Sequence, residues 1–367
     1  MLSDEKIALA TAIDQHIDKH LGFAVFRLPY SNEIHLVVQT DGRLFTSWSL
    51  ADIDWEEGFV ISPYNLKHNL PIVIIHPQYR ACGDSEIIET LSTIDVSDKR
   101  SMPSPGLPIH NMTRAEYEAT FNNFIEHLNS GEVDKLVLAR TQSSQKKVSV
   151  GRIFVESCEM YPRMMVYAMF TPLSGMWVGC SPEILLDGGV GQWTTMALAG
   201  TKLYSEHPDW DKKNIEEQHV VESYVGNVLR QLGAQVSATE PYTVRAGHLM
   251  HLRTDFRFTL PESIGIGTIA SRLHPTPAVC GRPCDKAQQI IEDDEATLRL
   301  YYSGLVGWIS QNEQSHLYVN LRCMMAEQNK ITMYAGGGIM QTSDADTEWH
   351  ETEMKMDTLV NVLCENI

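Results

Sequence analysis

Basic residues are scarce in this sequence of 367 residues. It has 29 lysines and arginines against 47 aspartates and glutamates, which gives a formal net charge of −18 at pH 7. This excess of negative charge argues against nucleic acid or an anionic membrane surface as a partner, because both would be repelled. An anionic substrate requires a local positive site, built from a metal ion or from a few lysines and arginines.

Paired cysteines and long hydrophobic runs are also lacking. No CxxC motif occurs and the number of cysteines is odd, which argues against a disulfide framework; the cysteines are Cys82, Cys158, Cys180, Cys280, Cys284, Cys323 and Cys364. The opening segment MLSDEKIALA has no basic flank, and no stretch approaches the roughly 18 apolar residues of a membrane span. We therefore expect a reduced, soluble, cytoplasmic protein.

What is present indicates an α+β fold. Hydrophobic residues make up 43% of the chain, enough for a large core. Runs of β-branched residues such as IHLVVQ (34–39) and PIVIIHP (71–77) predict strands, and helical patterns occupy about 209–232 and 284–300. These elements are mixed without the regular βαβ alternation of a parallel sheet, which favours α+β.

One stretch divides the sequence. Residues 101–108, SMPSPGLP, contain three prolines and a glycine, which cannot continue regular structure. We divide the chain there into an N-terminal variable part, 1–108, and a larger region, 109–367, of the same fold. Just after the boundary, Thr113 and Glu116 form a capping-box pattern that predicts a helix, and Gly131 predicts its end.

Two acids lie on the apolar stripe of a predicted helix. Glu217 is followed by Val221 and Val225 at helical spacing, which places its carboxylate on the buried side or at the edge of that side. Glu295 shares a stripe with Leu298, and Arg299 follows four residues later. For Glu295, a structural ion pair with Arg299 is favoured over a catalytic role.

Three successive glycines precede a crowd of acids near the C-terminus. Without side chains, Gly336–Gly338 form either a tight turn or a backbone cradle for an anion. On the helix predicted next, Glu348, Glu351 and Lys355 share one face. Two carboxylates on one stripe repel unless a cation lies between them, so this face is either solvated or holds a divalent ion such as Mg²⁺.

Basic residues on predicted strands complete the candidate set. Lys135 shares a face with Val137 in KLVLAR (135–140), which indicates either a desolvated base or a lysine at a strand end. Arg322 shares a predicted strand face with Asn320 and is suited to binding a carboxylate. His251 has no decisive local signal, and a core histidine is the favoured interpretation.

These motifs occur in one order that resembles the chorismate-utilising enzymes, which include anthranilate, aminodeoxychorismate, salicylate and isochorismate synthases. The resemblance covers about residues 113–362 and rests on KLVLAR, CSPEILL, ALAGTK, EEQHVVE, MHLRT, LHPTPAVCGRP, YYSGLVGW, LYVNLRC, YAGGGIM and EWHETEMK. It implies one large α+β fold in which two antiparallel sheets pack in a layered core with helices outside.

Few residues indicate the branch of the family. Ammonia-using members lack the strand lysine that activates water, and this chain has it as Lys135. Aminodeoxychorismate synthases have a nucleophilic lysine where this chain has Ala199. The HPTPAV segment (274–279) is similar to isochorismate synthases and differs from most salicylate synthases. The resemblance therefore favours isochorismate synthesis, with a salicylate synthase and an inactive chorismate-binding protein as the alternatives.

The resemblance also implies roles for individual residues. Lys135 would deprotonate the water that attacks C2 of chorismate, and Glu183 would protonate the C4 hydroxyl that departs. Mg²⁺ would be held by Glu217 and Glu351, with Glu348 close by. The substrate-binding residues implied are Thr201, His251, Tyr302, Arg322, Gly336, Gly337, Gly338 and Lys355.

Further expectations follow from the same resemblance. No glutamine amidotransferase subunit is expected, and members of this branch are often monomers. The product would supply menaquinone or siderophore synthesis. Cys280 lies next to the expected site and is unusual there, so we expect the activity to be sensitive to thiol reagents.

Overall fold

A computed structural model describes residues 2–17, 19, 21–66, 70–94 and 109–364 of the chain. The boundary predicted at 101–108 lies outside the described residues, so the division of the chain there stays a prediction. The helices are α1 Asp4–Ile17, α2 Asp84–Thr93, α3 Arg114–Ser130, α4 Val150–Met160, α5 Lys212–Gln231, α6 Ile266–Leu273, α7 Cys284–Asp294 and α8 Ala345–Cys364, with a 3₁₀ helix at Leu50–Ile53.

The strands of the described chain are short and numerous. They are β1 Gly22–Arg27, β2 Ile34–Gln39, β3 Phe45–Ser47, β4 Gly58–Ser62, β5 Ile72–Ile75, β6 Tyr79–Cys82, β7 Lys135–Ser144, β8 Met165–Thr171, β9 Gly175–Ser181, β10 Ile184–Gly189, β11 Gln192–Leu203, β12 Gln235–Ala238, β13 Tyr242–Ala246, β14 Leu249–Thr259, β15 Gly281–Arg282, β16 Leu305–Ile309, β17 Ser315–Val319, β18 Cys323–Ala326 and β19 Ile331–Ile339.

These strands form two antiparallel sheets, which confirms the predicted α+β class. One sheet has nine strands in the order β15-β7-β19-β18-β9-β8-β1-β2-β6. The other has ten, in the order β12-β14-β11-β10-β17-β16-β4-β5-β3, with β13 paired to β14. Strands that precede the predicted boundary belong to both sheets.

The two sheets pack face to face, and helices cover their outer faces. In β1, Ala24 and Phe26 lie in a cluster with Phe59 of β4, between the sheets. Phe23 and Val25 point the other way, into a cluster that contains residues of α1, α2, α4 and α8. β1 is buried on both faces, and its first five residues, GFAVF, are accordingly apolar without alternation.

Helix ends follow the predicted capping chemistry. Thr113 and Glu116 form a capping box at the start of α3, and Gly131 ends this helix in the left-handed conformation with φ 78°. The other two predicted helices are shorter than expected. α5 begins at Lys212 behind the N-cap Asp211, and α7 ends at Asp294 rather than near residue 300.

No helix in the described ranges combines the length and the apolar character needed to cross a membrane.

Candidate active site

A cavity opens between the ends of the two sheets. It has about 610 Å³ of empty volume, open solvent at its mouth included, which is in the range of small-molecule sites. The predicted site residues that line it are Glu183, Thr201, Glu217, His251, Tyr302, Arg322, Gly336, Gly338 and Lys355. Lys135, Gly337, Glu348 and Glu351 lie in the layer directly behind this lining.

Lys135 and Glu217 form an ion pair at one wall of this cavity. Lys135 is the first residue of β7 and is fully buried, and its Nζ lies 2.9 Å from Oε1 of Glu217. Glu217 lies on the buried side of α5, as its spacing to Val221 predicts. Burial opposes ionisation of Glu217, but Lys135 and Lys213 outweigh it and lower the pKa of this carboxyl.

Glu183 is placed where the chain passes from one sheet to the other. β9 belongs to the nine-stranded sheet and β10 to the ten-stranded sheet, and Ser181-Pro182-Glu183 connects them. Glu183 is 3% exposed, and burial raises its pKa to about 7 although Lys135 and Lys355 oppose the shift. A carboxyl group with this pKa can donate and accept a proton near neutral pH.

The three glycines form neither a turn nor a loop before a helix: they lie near the C-terminal end of strand β19, and α8 begins only at Ala345. Their missing side chains leave room for charged groups on both faces of the strand. A Cβ on Gly338 would lie 2.2 Å from Oε1 of Glu217, and one on Gly337 would lie 3.1 Å from Oε2 of Glu348. Glycine is required here because charged side chains approach the backbone.

The backbone amides of two of the three glycines point away from β7, the strand that pairs with β19 at this position. The Nζ of Lys355 donates to the carbonyl oxygen of Gly336 at 2.8 Å. β18 pairs with β19 only along Ile331–Met333, so this side of the strand is open at the glycines. Because the N–H and C=O of a strand residue point to the same side, the amides of Gly336 and Gly338 point there too. Gly337 instead faces β7, opposite Leu138, which corrects the expected three-glycine cradle.

Helix α8 places two carboxylates against the other face of β19. Oε1 of Glu348 accepts hydrogen bonds from the Ser343 hydroxyl at 2.7 Å and forms an ion pair with Lys213 at 2.8 Å. Oε2 of Glu348 is buried and has no hydrogen-bond partner in the described part of the chain. Burial and the nearby Glu351 raise the pKa of Glu348 to about 7, while Lys213 opposes the shift. Glu351 pairs with Lys355 at 2.7 Å.

Lys213 is the residue that our sequence analysis missed. Its Nζ lies 3.7 Å from Glu217 and 2.8 Å from Glu348, so one ammonium group links two of the predicted metal ligands. Burial opposes its charge, but Glu217, Glu348 and Glu351 outweigh burial and raise its pKa above the ordinary lysine value. A sequence signal existed, because Lys213 precedes Glu217 by four residues and therefore shares its helix face.

His251 and Arg322 form a hydrogen-bonded pair that also lines the cavity. The histidine Nδ1 donates to the carbonyl oxygen of Gly200 at 2.8 Å, and its Nε2 accepts from Arg322 at 3.1 Å. Burial and the Arg322 charge lower the pKa of His251 to about 3, so the ring is neutral. The Thr201 hydroxyl lies 3.4 Å from Nδ1 of the histidine.

Arg322 is not on a strand, which corrects the predicted strand face that it shares with Asn320. It lies in the break between β17 and β18 with φ 48°, a left-handed conformation that costs energy for a residue with a side chain. Its Nη1 donates to Thr358 at 3.0 Å, and no carboxylate pairs with it in the described chain. Burial lowers the pKa of Arg322 to about 10. This buried cation is available to an anionic ligand.

The acids behind the cavity fit a hard divalent cation. Glu217, Glu348 and Glu351 are all at least nine-tenths buried, and such groups are normally paired or bound to a metal. In this arrangement lysine ammonium groups neutralise them in part. The unpartnered Oε2 of Glu348 has spare capacity as a ligand, and carboxylate oxygens are what Mg²⁺ prefers.

Two further predicted residues have structural positions. Glu295 and Arg299 form the predicted buried ion pair at 2.6 Å, and Arg299 also donates to the carbonyl oxygens of Val279 and Val137, which line the cavity. Glu295 caps the end of α7 rather than lying within it.

Cys280 is completely buried, so reagents in solution do not reach it without local opening. The predicted thiol sensitivity has no accessible target at this residue.

The fold and this constellation define a class of protein. The chain belongs to the chorismate-binding enzymes, since the family model described as "Chorismate binding enzyme" matches residues 79–364.

Among the relatives, isochorismate synthase EntC of Escherichia coli (strain K12) is 28% identical over 244 residues, which cover 63% of this chain and 62% of that protein. Isochorismate synthase MenF of Haemophilus influenzae is 30% identical over 277 residues, which cover 71% of this chain and 64% of that protein. The matched region thus spans less than two thirds of each of these relatives.

The fold itself is similar over almost the whole chain to a solved structure. The crystal structure of DhbC from Bacillus anthracis, described as a "putative 2,3-dihydroxybenzoate-specific isochorismate synthase", matches with a TM-score of 0.78 at 21% identity, and the match covers 97% of this chain and 99% of that one. This similarity confirms the layered arrangement of two antiparallel sheets with helices outside.

Proposed function

We propose that the protein is an isochorismate synthase, which interconverts chorismate and isochorismate. The observation that carries the proposal is one cavity that Glu183 and Ala199 line and behind which Lys135 lies, with Lys135 close enough to Glu183 to oppose the rise in its pKa. A lysine and a carboxyl group serve as base and acid for adding and removing water. Ala199 offers no nucleophile of the kind expected in an aminodeoxychorismate synthase.

The two groups divide the proton transfers between them. Lys135 removes a proton from the water that adds at C2, and Glu183 gives a proton to the hydroxyl that leaves C4 as water. The ring double bonds shift, and the sum is an isomerisation with no net gain or loss of atoms. Lys135 accepts a proton only when it is neutral, so its ion pair with Glu217 has to loosen before catalysis.

The positive end of the cavity suits the carboxylates of the substrate. Arg322 and Lys355 supply charge, and the Gly336 and Gly338 amides supply donors. Tyr302 lies beside them, its hydroxyl oxygen 3.0 Å from the position of a Cβ on Gly336. In the proposed pose the enolpyruvyl carboxylate binds here. Thr201 and His251, which lie next to Arg322, contact the C4 hydroxyl and the ring in this pose.

Glu217 and Glu351, with Glu348 close by, would hold Mg²⁺. When bound, the ion would position a substrate carboxylate and withdraw electron density from it as a Lewis acid. The carboxylates that it requires repel one another, and the surrounding lysines offset part of this repulsion. This explains why an acidic protein builds a site for an anionic substrate.

The remaining expectations belong to the same proposal. The enzyme acts in the cytoplasm as a monomer, without a glutamine amidotransferase subunit, and its product supplies menaquinone or siderophore synthesis. These statements rest on the sequence resemblance.

A product assay tests the proposal. The purified protein is incubated with chorismate and Mg²⁺, with and without EDTA, and the products are separated and weighed by mass spectrometry. An isomer of chorismate that reaches an equilibrium mixture, and does not form with EDTA, supports the proposal. Salicylate with pyruvate would assign a salicylate synthase, and an aminated product formed with ammonium would assign an aminating synthase. No turnover in any condition would indicate a chorismate-binding protein without activity.

A further inference from the structure

A second group of potential metal-binding side chains lies outside the lining of this cavity. Glu33, His35 and Cys82 each offer one ligand atom, and the carboxylate oxygen, ring nitrogen and sulfur all lie within 4.8 Å of one another. None of these residues lines the candidate active site. Cys82 lies 49 positions after Glu33 in the chain, so only folding brings the three residues together.

The backbone fixes this arrangement. His35 and Cys82 are register partners on the antiparallel strands β2 and β6, so their side chains leave the sheet side by side on one face. Glu33 lies just before β2, and its carboxylate oxygen is within 4.8 Å of the ligand atoms of His35 and Cys82. The turn after Cys82 is also fixed, since the amide of Gly83 donates to the carbonyl oxygen of Ile34 at 2.8 Å.

The three ligand groups are not used elsewhere. Within the described residues, no hydrogen bond or ion pair engages the His35 ring, the Glu33 carboxylate or the Cys82 thiol. The His35 ring is held by stacking on Phe26, with centroids 5.2 Å apart and planes at 22°. An oriented imidazole with both nitrogens unpaired is ready to bind a ligand.

The chemical types of the three ligand atoms determine which metal ion fits the site. Sulfur, imidazole nitrogen and carboxylate oxygen together suit a borderline transition ion and do not suit Mg²⁺ or Ca²⁺, which prefer oxygen alone. Glu86 lies in the same surface cavity, where its Oε2 accepts from the Cys82 amide at 3.2 Å. We propose that Glu33, His35 and Cys82 form a zinc site, with its fourth position taken by Glu86 or by water.

The proposed zinc site would stabilise the edge of the nine-stranded sheet. β6 is the terminal strand there and pairs only with β2 along four residues in the described chain. A zinc ion bound to both strands would fasten this edge and raise the unfolding temperature, because it binds the folded state alone. It would leave the cavity residues untouched, so zinc occupancy and chorismate turnover are separable.

Cobalt substitution tests the site through a signal that carboxylates cannot give. The full-length reduced protein, saturated with Mg²⁺ to fill any hard-cation site, is titrated with Co²⁺. A cysteine ligand produces a thiolate-to-cobalt charge-transfer band in the near ultraviolet, and Zn²⁺ should displace it at one equivalent. Cys82→Ser should abolish the band, and His35→Gln should weaken zinc binding by at least about ten-fold.

Two control variants make the result decisive. Cys284→Ser changes another incompletely buried thiol, and Glu348→Gln changes the acidic cluster behind the cavity; both should keep the band. The proposal is overturned if Co²⁺ binds without a thiolate band, or if the band survives Cys82→Ser. Since the readout needs no turnover, failure of the zinc site would not bear on isochorismate synthesis, and failure of the latter would not bear on zinc.

Discussion

The Nζ of Lys213 lies 2.8 Å from Oε1 of Glu348, so a lysine of helix α5 neutralises a carboxylate of helix α8 behind the cavity. The same ammonium lies 3.7 Å from Glu217. In the proposed enzyme a divalent cation competes for these carboxylates. The ion pair therefore stabilises the metal-free protein and weakens metal binding at the same time.

Lys213→Met should separate these two effects. Without the ammonium, Glu217 and Glu348 repel each other, so the metal-free protein should melt several degrees lower. Mg²⁺ should bind at least about ten-fold more tightly, since a unit charge a few ångströms away is worth a few kcal/mol at the effective dielectric constant of a protein and about 1.4 kcal/mol already corresponds to ten-fold. Thermal unfolding with and without Mg²⁺ and titration calorimetry measure both quantities.

Lys212→Met is the matched control for this variant. Lys212 is adjacent in sequence, is 89% exposed and pairs only loosely with Glu216 at 3.4 Å. Its removal should change neither quantity. Equal Mg²⁺ affinities in Lys213→Met and in the wild type would contradict the proposed competition.

Glu183→Gln should fold normally and lose most turnover. An amide cannot donate the proton that the C4 hydroxyl needs, and loss of a general acid costs roughly 10²- to 10⁴-fold in kcat. In the wild type, Glu183 must be protonated to act, and its pKa is about 7, so kcat should fall as the pH rises above neutrality. A pH–rate profile with no descending limb near this value would show that another group is the acid.

Gly338→Ala should disrupt the site without removing any charged group. The added Cβ would lie 2.2 Å from Oε1 of Glu217 and 2.8 Å from Cε of Lys135, so both have to move. We expect turnover to fall by about 10²-fold or more, since the acid–base groups must be held in place. Gly226→Ala is the control, because its Cβ meets nothing closer than 3.7 Å. Equal activities of the two variants would refute the requirement for close approach.

The sequence is a better guide to which residues lie at the site than to their backbone conformations and contacts there. Glu217 lies on the buried face of its helix because the valines after it recur at helical spacing. The helix forms as this spacing predicts, and Glu217 is buried with the valines. Lys135 has the alternation of a strand and is on one. Both predictions rest on the local spacing of apolar residues, which can be read directly from the sequence.

The remaining features depend on contacts between distant segments. The local sequence predicts a turn or a cradle at the glycines because glycine frees the backbone, whereas in the fold it admits Glu217 and Glu348 on opposite faces of a strand. Arg322 has a left-handed φ that nothing in its local sequence requires. The pairing of Lys213 with Glu348 joins helices far apart in the chain, so only the packed fold displays it.

Glu348→Gln should change how the stability of the metal-free protein depends on pH. The pKa of Glu348 is raised from its ordinary value of 4.5 to about 7, chiefly by burial. The folded state therefore binds a proton more tightly than the unfolded state. This contribution to stability is fully present below pH 4.5 and is lost as the pH rises through 7. The glutamine variant stays neutral, so it should be more stable than the wild type at pH 8 by on the order of 1 to 3 kcal/mol relative to their difference at pH 5.

Urea unfolding of both proteins in EDTA between pH 5 and 8 measures this difference. Glu353→Gln, one turn further along the same helix, is the control: the pKa of Glu353 is lowered by hydrogen bonds from His350 and Trp349 although burial opposes this. Glu353 is therefore ionised throughout the range, and its variant should keep the slope of the wild type. Parallel curves for Glu348→Gln and the wild type would mean that Glu348 is already ionised without metal, and that Lys213 outweighs burial at this carboxylate.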